Sequence, residues 1–587
     1  MKKISILATF SLVFIGLSVR ADPGEDFRDL LDEHWEWQML ENPVRASRMG
    51  DRRWNDRWTD NSLEAIERRH GEQQKFLRRL RLIDSSQLTE TGSLNYELFR
   101  RSLENSVDAH QFRNYLMPMS QRGGVQSLES TAETLRLGNA QDYEDWLARM
   151  SQIDTVIEQT MERLEEGRKT GYMPPKVLME RIPAQISSQL AEDPQQSPFF
   201  KAFATMPDAI PDADRERLQQ AAQDVIDETV VPAYREFSNY FNDIYLPASR
   251  DSIGASSLPN GEAFYEYRTH FYTTTQMTPD EIHRVGLNEV KRIRDEMQLV
   301  IDELEYEGSF QDFLHFLRTD PQFYYETPEE LFEGYLAISK RIDPEVVKVF
   351  GKLPRMPYGL RPIPDNIAPD TTTAYYSGPA ADGSRPGYYY VNLYKPEVRP
   401  RYEMEVLTIH EAVPGHHLQI ALQMELEAMP NFRKYSGFTA FTEGWGLYSE
   451  SLGYEMGFYQ DPYSHFGALT YDMWRAVRLV VDTGMHYKGW TRQQAIDFFK
   501  DNAAKTEQDI VNEIDRYISW PGQALAYKIG QLRMLELRRR SEQALGNAFD
   551  VRAFHDALLG GGALPLEILE TRMNRWLAAE LEKKNSS

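Results

Sequence analysis

Residues 406–417 read VLTIHEAVPGHH, and this stretch indicates more about the fold and chemistry of the chain than any other. The apolar residues before His410 favour a buried helix, and Glu411 follows His410 directly. The chain has only 12 His in 587 residues, and three of them lie within eight positions here. Imidazoles gathered beside a carboxylate are typical of a transition-metal site, so the stretch predicts a helix that carries a metal centre.

The spacing of these His residues decides how such a centre could form. In the zinc-binding motif HExxH, two His four residues apart share one helix face and hold one ion. Position 414 is Pro here, so the motif is not satisfied as written. On an ideal helix His416 lies roughly 240° around the axis from His410, and His417 lies roughly 10.5 Å further along that axis. We expect Pro414 to widen the helix by two residues, which would return His416 toward His410. His417 is the alternative second ligand.

A catalytic zinc site needs a third protein ligand, with a water in the fourth position. Residues 441–450 read FTEGWGLYSE, which places Glu443 in an apolar, aromatic run where an unpaired carboxylate would be costly. We therefore expect Glu443 to be the third ligand. Glu450 lies seven residues later on roughly the same helix face, where it is expected to hydrogen-bond a ligand His.

The composition excludes several other classes of chemistry. The chain contains no Cys, which rules out disulfides, Cys-ligated zinc, iron–sulfur clusters and thiol catalysis. Asp and Glu number 90 against 66 Lys and Arg, which gives a formal net charge of −24. Because phosphate binding needs a surplus of basic charge, we expect neither nucleic acid nor an anionic membrane as a partner. Any transition metal must be held by His and carboxylate side chains.

The first 21 residues have the pattern of a secretory signal peptide. Two Lys precede an apolar stretch at 4–19, and a small residue, Ala21, ends the segment. We expect cleavage after Ala21 and a periplasmic or secreted protein without membrane contact. An uncleaved anchor is the alternative, but the apolar stretch is shorter than the roughly 20 residues of a bilayer span. No Cys follows it, so a lipid-anchored lipoprotein is not expected. The sequence makes no prediction of the oligomeric state.

Most of the remaining chain has the pattern of amphipathic helices. Thr278, Thr327 and Thr491 each precede a Glu or Gln by three residues, which is the signature of a capping box at a helix start. Apolar residues at helical spacing follow each of them. These segments predict a mainly α-helical protein.

Residues 351–400 differ in composition from the rest of the chain. They are rich in Pro and contain two aromatic runs, at 375–376 and 388–391, which favour strands. Residues 389–392 are expected to form either an edge strand that pairs with an extended peptide or a buried hairpin. We expect a large two-lobed helical protein, with an N-terminal lobe at 22–270, a catalytic lobe at 271–587, and this small sheet beside the active-site cleft.

The combination of HEAVPGHH at 410–417 with TEGW at 442–445 resembles a bacterial family known as domain of unknown function 885. The resemblance covers most of the chain after the signal peptide. That family is similar to the gluzincin metallopeptidases, whose zinc ligands are two His and a downstream Glu. Several gluzincins carry Gly directly before the second His, and some have one residue inserted into the motif. The resemblance therefore implies His416 rather than His417 as the second ligand.

A second resemblance concerns residues 515–519, which are similar to the Arg-Tyr segment of the angiotensin-converting enzyme family. In that family a Tyr about a hundred residues after the zinc motif hydrogen-bonds the tetrahedral intermediate. Tyr517 lies 101 residues after His416, so the resemblance implies Tyr517 as the oxyanion donor. Arg516, directly before Tyr517, and Tyr527 and Lys528, shortly after it, are candidates for binding a substrate carboxylate.

These features together predict an exported, zinc-dependent peptidase with one zinc ion per chain and a peptide as substrate. Glu411 would act as general base toward a water that the metal activates. A carboxypeptidase or oligopeptidase is favoured over an endopeptidase. The alternatives are a zinc-dependent amidase or other non-peptide hydrolase, and a non-catalytic exported binding protein with the same fold.

Overall fold

The computed structural model describes residues 22–586 except 365–367, 371, 380–382, 384, 428 and 436. The expected signal peptide at 1–21 lies outside these residues. The described chain is mainly α-helical with one small sheet, as predicted. Among the described helices, none combines the length and the apolar character that crossing a membrane requires.

Thirteen α-helices lie in the described chain before residue 274. They are α1 Pro23–Glu41, α2 Pro43–Arg48, α3 Leu63–Leu80, α4 Glu90–Ala109, α5 Ala140–Met150, α6 Ile153–Thr170, α7 Lys176–Met179, α8 Ile182–Ser187, α9 Lys201–Ala204, α10 Asp212–Val225, α11 Val231–Tyr240, α12 Leu246–Ala248 and α13 Gly261–Thr273. Single π-helical turns at Ile226–Val230 and Phe241–Tyr245 connect α10, α11 and α12 into one nearly continuous rod.

Thirteen further α-helices follow among the described residues, and some of them carry the residues of the predicted site. They are α14 Pro279–Glu303, α15 Phe310–Thr319, α16 Pro328–Ile342, α17 Met404–Glu411, α18 His416–Met424, α19 Asn431–Lys434, α20 Thr439–Met456, α21 Pro462–His486, α22 Arg492–Asn502, α23 Glu507–Ser519, α24 Ala526–Leu545, α25 Val551–Leu559 and α26 Leu566–Ser586. The predicted capping boxes begin α14, α16 and α22.

The sheet has three strands, β1 Tyr358–Pro362, β2 Ala374–Ser377 and β3 Gly387–Val391, in the order β1-β3-β2. β1 runs parallel to β3, and β2 runs antiparallel to it. The edge-strand prediction for residues 389–392 is therefore wrong, because β3 is paired on both sides. Tyr389 and Val391 point to the buried face, which agrees with the alternative of a buried hairpin formed by β2 and β3.

Apolar packing is continuous across the expected boundary near residue 270. The largest cluster joins Trp146 and Tyr234 on one side of that boundary to Val480 and Phe499 on the other. α14 and α21, the two longest described helices, pack against each other, and Gly286 allows the close approach because a Cβ there would lie 2.8 Å from Leu479. The division into two lobes stays a prediction.

Asp482 is a buried carboxyl on α21 whose titration should affect stability. It accepts hydrogen bonds from the Tyr265 hydroxyl, at 2.6 Å, and from the Gly522 N–H, at 3.1 Å. Burial raises the pKa of Asp482 to about 7, although both hydrogen bonds oppose the rise. In the unfolded chain the pKa is about 3.9, so between roughly pH 4 and 7 the folded state binds the extra proton and loses stability as the pH rises.

We expect the Tm of the wild-type protein to fall more between pH 5 and pH 8 than the Tm of an Asp482→Asn variant. The amide stays uncharged over the whole range and keeps an oxygen to accept the bond from Tyr265. Thermal unfolding followed by circular dichroism at several pH values measures the two slopes. Parallel slopes would show that Asp482 does not titrate in this range.

Candidate metal centre

A break between two helices forms the base of the candidate centre. α17 ends at Glu411 and α18 begins at His416, with residues 412–415 between them and a cis peptide bond before Pro414. The sequence predicted one widened helix, whereas the structure has two helices joined by a tight turn. Pro414 has no N–H to donate to the carbonyl of His410. Gly415 packs so closely that a Cβ there would overlap that carbonyl oxygen.

The turn brings His416 next to His410, and α20 adds Glu443. Nε2 of His410 and Nε2 of His416 lie 3.8 Å and 3.5 Å from Oε2 of Glu443. All three potential ligand atoms lie within 4.8 Å of one another. In a tetrahedron with metal bonds of 2.0–2.1 Å the ligand atoms are about 3.3 Å apart. The spacing and the His₂Glu donor set therefore fit a zinc ion.

His417 takes no part in this cluster. Its Nδ1 lies 2.8 Å from the Tyr376 hydroxyl on β2, and its ring centroid lies 5.0 Å from that of Tyr358 on β1. Burial against the sheet lowers the pKa of His417 to about 4. The structure thus places His416, and not the alternative His417, beside His410.

Glu450 lies behind His410, as the sequence predicted for a partner of a ligand His. Nδ1 of His410 lies 2.7 Å from Oε1 of Glu450, and Arg475 lies 3.4 Å from the same carboxylate oxygen. This contact orients the ring so that Nε2 faces Glu443. Burial lowers the pKa of His410, but the contacts with Glu443 and Glu450 outweigh it and raise the pKa to about 9. Burial raises the pKa of Glu443, and its contacts with the two imidazoles outweigh that and hold the pKa well below its usual value.

We expect Glu450→Gln to weaken zinc binding by about 10–100-fold, the usual cost of losing the partner of a ligand His. Competition with a coloured chelator measures the affinity. Glu455→Gln is the matched control, because Glu455 lies on the same helix and forms only a more exposed ion pair with Arg538. Equal affinities in the wild-type protein and the Glu450→Gln variant would contradict a role for Glu450 in orienting His410.

Two glycines of α20 allow the close packing that the centre needs. A Cβ at Gly446 would lie 2.6 Å from Cε1 of His410, and a Cβ at Gly444 would lie 2.5 Å from Cα of Gly530 on α24. Between them, Nε1 of Trp445 donates a 2.9 Å hydrogen bond to the carbonyl of Pro414. Sequence reasoning missed Gly446; its signal was a glycine inside a helical pattern, which often marks a close approach.

Glu411 is the last residue of α17 and lies beside the cluster. It is 8% exposed, and its charge reaches His410 and Tyr389. Within the described part of the chain, no hydrogen bond or ion pair engages its carboxylate. An unpartnered carboxylate directly after a predicted ligand His has the chemistry that a general base requires.

Tyr517 is buried, and its hydroxyl is already engaged. It donates to Glu513 at 2.6 Å and accepts hydrogen bonds from Nε of Arg478 and Nε1 of Trp474, at 2.9 Å and 3.0 Å. Among the described residues, no contact joins Tyr517 to the His cluster. Because its proton is committed to Glu513, the geometry does not favour the expected role as oxyanion donor.

Tyr527 lies on α24, and the charge of Glu443 acts on its hydroxyl. Its ring centroid is 4.3 Å from Cζ of Arg478. Burial raises the pKa of Tyr527, and the negative charge of Glu443 raises it further. The phenol therefore stays protonated, and its hydroxyl has only a long contact of 3.5 Å with Gln523.

The two predicted cations differ in their surroundings. Arg516 pairs with Glu513 at 2.9 Å and donates to Gln523 at 2.9 Å. Lys528 is buried between Asp472 and Glu289, at 2.6 Å and 3.0 Å. Two carboxylates already neutralise the Lys528 ammonium, which corrects the expectation that it binds a substrate carboxylate.

Comparisons with known proteins give the family of the chain. A candidate lipoprotein from Colwellia psychrerythraea has a similar solved structure, with a TM-score of 0.88 and 27% identity over 95% of this chain and 100% of that chain. A candidate lipoprotein of unknown function from Shewanella oneidensis has a TM-score of 0.74 at 18% identity, over 93% of this chain and 99% of that chain, and shows the fold alone. No curated protein matches the chain. The family profile described as bacterial protein of unknown function (DUF885) matches residues 43–573, so the chain belongs to that family.

Proposed function

We propose that this protein is an exported, zinc-dependent peptidase of the gluzincin type, which hydrolyses peptide bonds with water. One observation carries the proposal: His410, His416 and Glu443 have zinc-ligand spacing beside the unpartnered carboxylate of Glu411. Catalytic zinc sites use three protein ligands and leave one position open, whereas structural sites close all four. A structural site would also have no use for an unpartnered carboxylate next to its ligands.

The side chains of the centre support a division of roles. His410, His416 and Glu443 would hold one ion, and zinc, when bound, acidifies water and polarises a carbonyl oxygen. Glu411 would accept the proton of the attacking water at its carboxylate and then donate it to the nitrogen of the leaving amine. The Tyr527 hydroxyl, which burial keeps protonated, would donate to the oxyanion. Glu450 would fix the orientation of His410.

Export rests on the amino-terminal pattern and on the relatives. Residues 1–21 have the order of a signal peptide, basic, apolar and small. The similar solved structure from Colwellia psychrerythraea is described as a candidate lipoprotein, which supports export. A lipid anchor of that kind is attached to Cys, and this sequence has none. We therefore propose a periplasmic or secreted protein that is cleaved after Ala21.

A digest of a peptide library tests the proposed function. The purified protein, with its zinc content measured, is incubated with the library, and the products are identified by mass spectrometry. We expect about one zinc per chain, and cleavage that a chelator stops and added zinc restores. A protein that binds no zinc would overturn the proposal. Intact peptides together with hydrolysis of non-peptide amides would assign the site to an amidase instead.

A further inference from the structure

A pair of buried arginines lies between α21, α23 and α24. Arg478 and Arg516 are 4% and 8% exposed. Both contact the same carboxylate, Glu513, at 3.2 Å and 2.9 Å. The next carboxyl nearby, Asp482, is held by Tyr265 and by the Gly522 N–H. One carboxylate thus serves two guanidinium groups, which leaves a positive charge without a partner.

Arg478 has an unused donor at this place. Its Nε donates to the Tyr517 hydroxyl and its Nη2 contacts Glu513. Its Nη1 is buried and has no hydrogen-bond partner among the described residues. A buried N–H group of a charged side chain costs free energy unless an acceptor is present. The geometry therefore indicates an acceptor that the chain itself does not supply.

A third arginine approaches the pair from the solvent side. Arg122 is exposed, and within the described residues its guanidinium forms no ion pair. Its neighbour Gln121 donates a 3.2 Å hydrogen bond to the carbonyl of Asp515, the residue before Arg516. Burial lowers the pKa of Arg122, and the charge of Arg516 lowers it further. Arg122 also lines a cavity of about 460 Å³ together with Ser519 and Trp520. An anion that enters this cavity would contact Arg122.

Tyr527 connects the arginines to the metal centre. Its ring lies against Arg478, and the charge of Glu443 acts on its hydroxyl. It lies one turn before Gly530, where α24 touches Gly444, the residue after Glu443. A substrate that spans Tyr527 would have one end at the zinc ligands and the other at the arginines.

We propose that Arg478, with Arg516 and Arg122, binds the free C-terminal carboxylate of the peptide substrate. The inference rests on the proposed peptidase function and deepens it, because cleavage would then occur close to the C terminus. A carboxylate carries one negative charge, which matches the uncompensated cation of the buried pair. Its two oxygens can accept from Nη1 of Arg478 and from a second guanidinium at once.

Matched peptides test the proposal by their C-terminal group. One substrate ends in a free acid, the second in an amide, and the third in an amide on a terminal Glu, which offers only a side-chain carboxylate. We expect wild-type kcat/KM to favour the free acid over both amides by roughly 10–100-fold, the range for hydrogen bonds to a charged group. Equal rates for acid and amide would overturn the proposal, and so would equal rates for the free acid and the Glu amide.

Three variants assign the preference to the arginines. Arg478→Gln is expected to lose most of the preference, mainly through a higher KM for the free acid. Arg122→Ala changes an exposed side chain, so it should fold normally and lose part of the preference. Arg235→Ala, at an exposed arginine on α11, is the matched control and should keep the wild-type ratio. If Arg478→Gln and Arg122→Ala lower the rates for acid and amide equally, the subsite is not at these residues.

A binding measurement separates this proposal from the proposed function. Calorimetry on the metal-free wild-type protein compares a short peptide acid with its amide, and needs no hydrolysis. Tighter binding of the acid that depends on Arg478 would support the subsite even if the peptidase proposal fails. Hydrolysis without any preference for the acid, in rates or in binding, would overturn the subsite and leave the peptidase standing.

Discussion

Glu411→Gln is expected to abolish most peptide hydrolysis while the protein keeps its zinc. Gln has nearly the same shape as Glu but cannot accept a proton, and a general base contributes about 10²–10⁴-fold to a rate. We expect kcat to fall by that factor. Zinc content should not change, because Glu411 lies outside the cluster of His410, His416 and Glu443. Metal analysis and turnover, measured on the same preparation, check both halves of the prediction.

Glu405→Gln is the matched control for this variant. Glu405 lies on the same helix, six residues earlier, and its carboxylate binds Arg341 at 3.2 Å and the Tyr459 N–H at 3.1 Å. We expect it to keep wild-type turnover within about twofold, since Glu405 already has partners of its own and lies outside the cluster of His410, His416 and Glu443. If Glu411→Gln lost zinc and activity in proportion, Glu411 would be a ligand. Unchanged turnover would remove it from the mechanism.

The helix starts could be predicted because a capping box depends on residues close in the sequence. The ligand set could be predicted because zinc binds only a few types of side chain. The box of Thr278 with Glu281 involves residues three apart, and the structure has both of its hydrogen bonds. Glu443 could be identified, although it is far from His410 in the sequence, because an unpaired carboxylate among aromatic residues is costly and metal binding offsets that cost. Its contacts with His410 and His416 depend on the packing of α20 against α17, which the sequence did not specify.

The hydrogen bonds of the Tyr517 hydroxyl show which contacts the sequence could predict and which it could not. Glu513 lies four residues earlier on the same helix, so its hydrogen bond with Tyr517 could have been predicted from spacing alone. Arg478 lies 39 residues away on another helix, and only the packed structure brings it to the same hydroxyl. Lys528 is similar, because its partners Asp472 and Glu289 come from α21 and α14.

The sequence predicted that residues 412–415 return His416 toward His410, but it predicted a widened helix rather than a turn between two helices. Pro414 and Gly415 indicated that the helix could not continue regularly, and that His416 had to return toward His410. A bulge and a break both satisfy that requirement. The close contact of Gly415 with the His410 carbonyl excludes any side chain, and this contact exists only in the folded turn.

His416→Ala and His417→Ala are expected to differ in their effect on zinc affinity, although the two residues are neighbours. His416→Ala removes one of three ligands, so we expect zinc affinity to fall by more than the roughly 100-fold upper cost of losing a ligand's partner. His417→Ala removes a contact with Tyr376 on the sheet and should leave zinc affinity unchanged. Chelator competition measures both. Loss of zinc in His417→Ala alone would reverse the ligand assignment.

Stability gives a second comparison of the same two variants. His417 donates or accepts a hydrogen bond with Tyr376, so its loss should lower the Tm of the metal-free protein. His416 is also buried and contacts Glu443 at 3.5 Å, so its loss should lower the Tm of the metal-free protein as well. Zinc stabilises any protein that binds it only when folded, by RT ln(1 + [L]/Kd). Added zinc should therefore raise the Tm of the His417→Ala variant as it does for the wild type, and leave that of His416→Ala nearly unchanged. Both residues are buried and adjacent, so a general loss of packing cannot explain why zinc raises the Tm of one variant and not of the other. Coordination by His416 and not by His417 requires this difference.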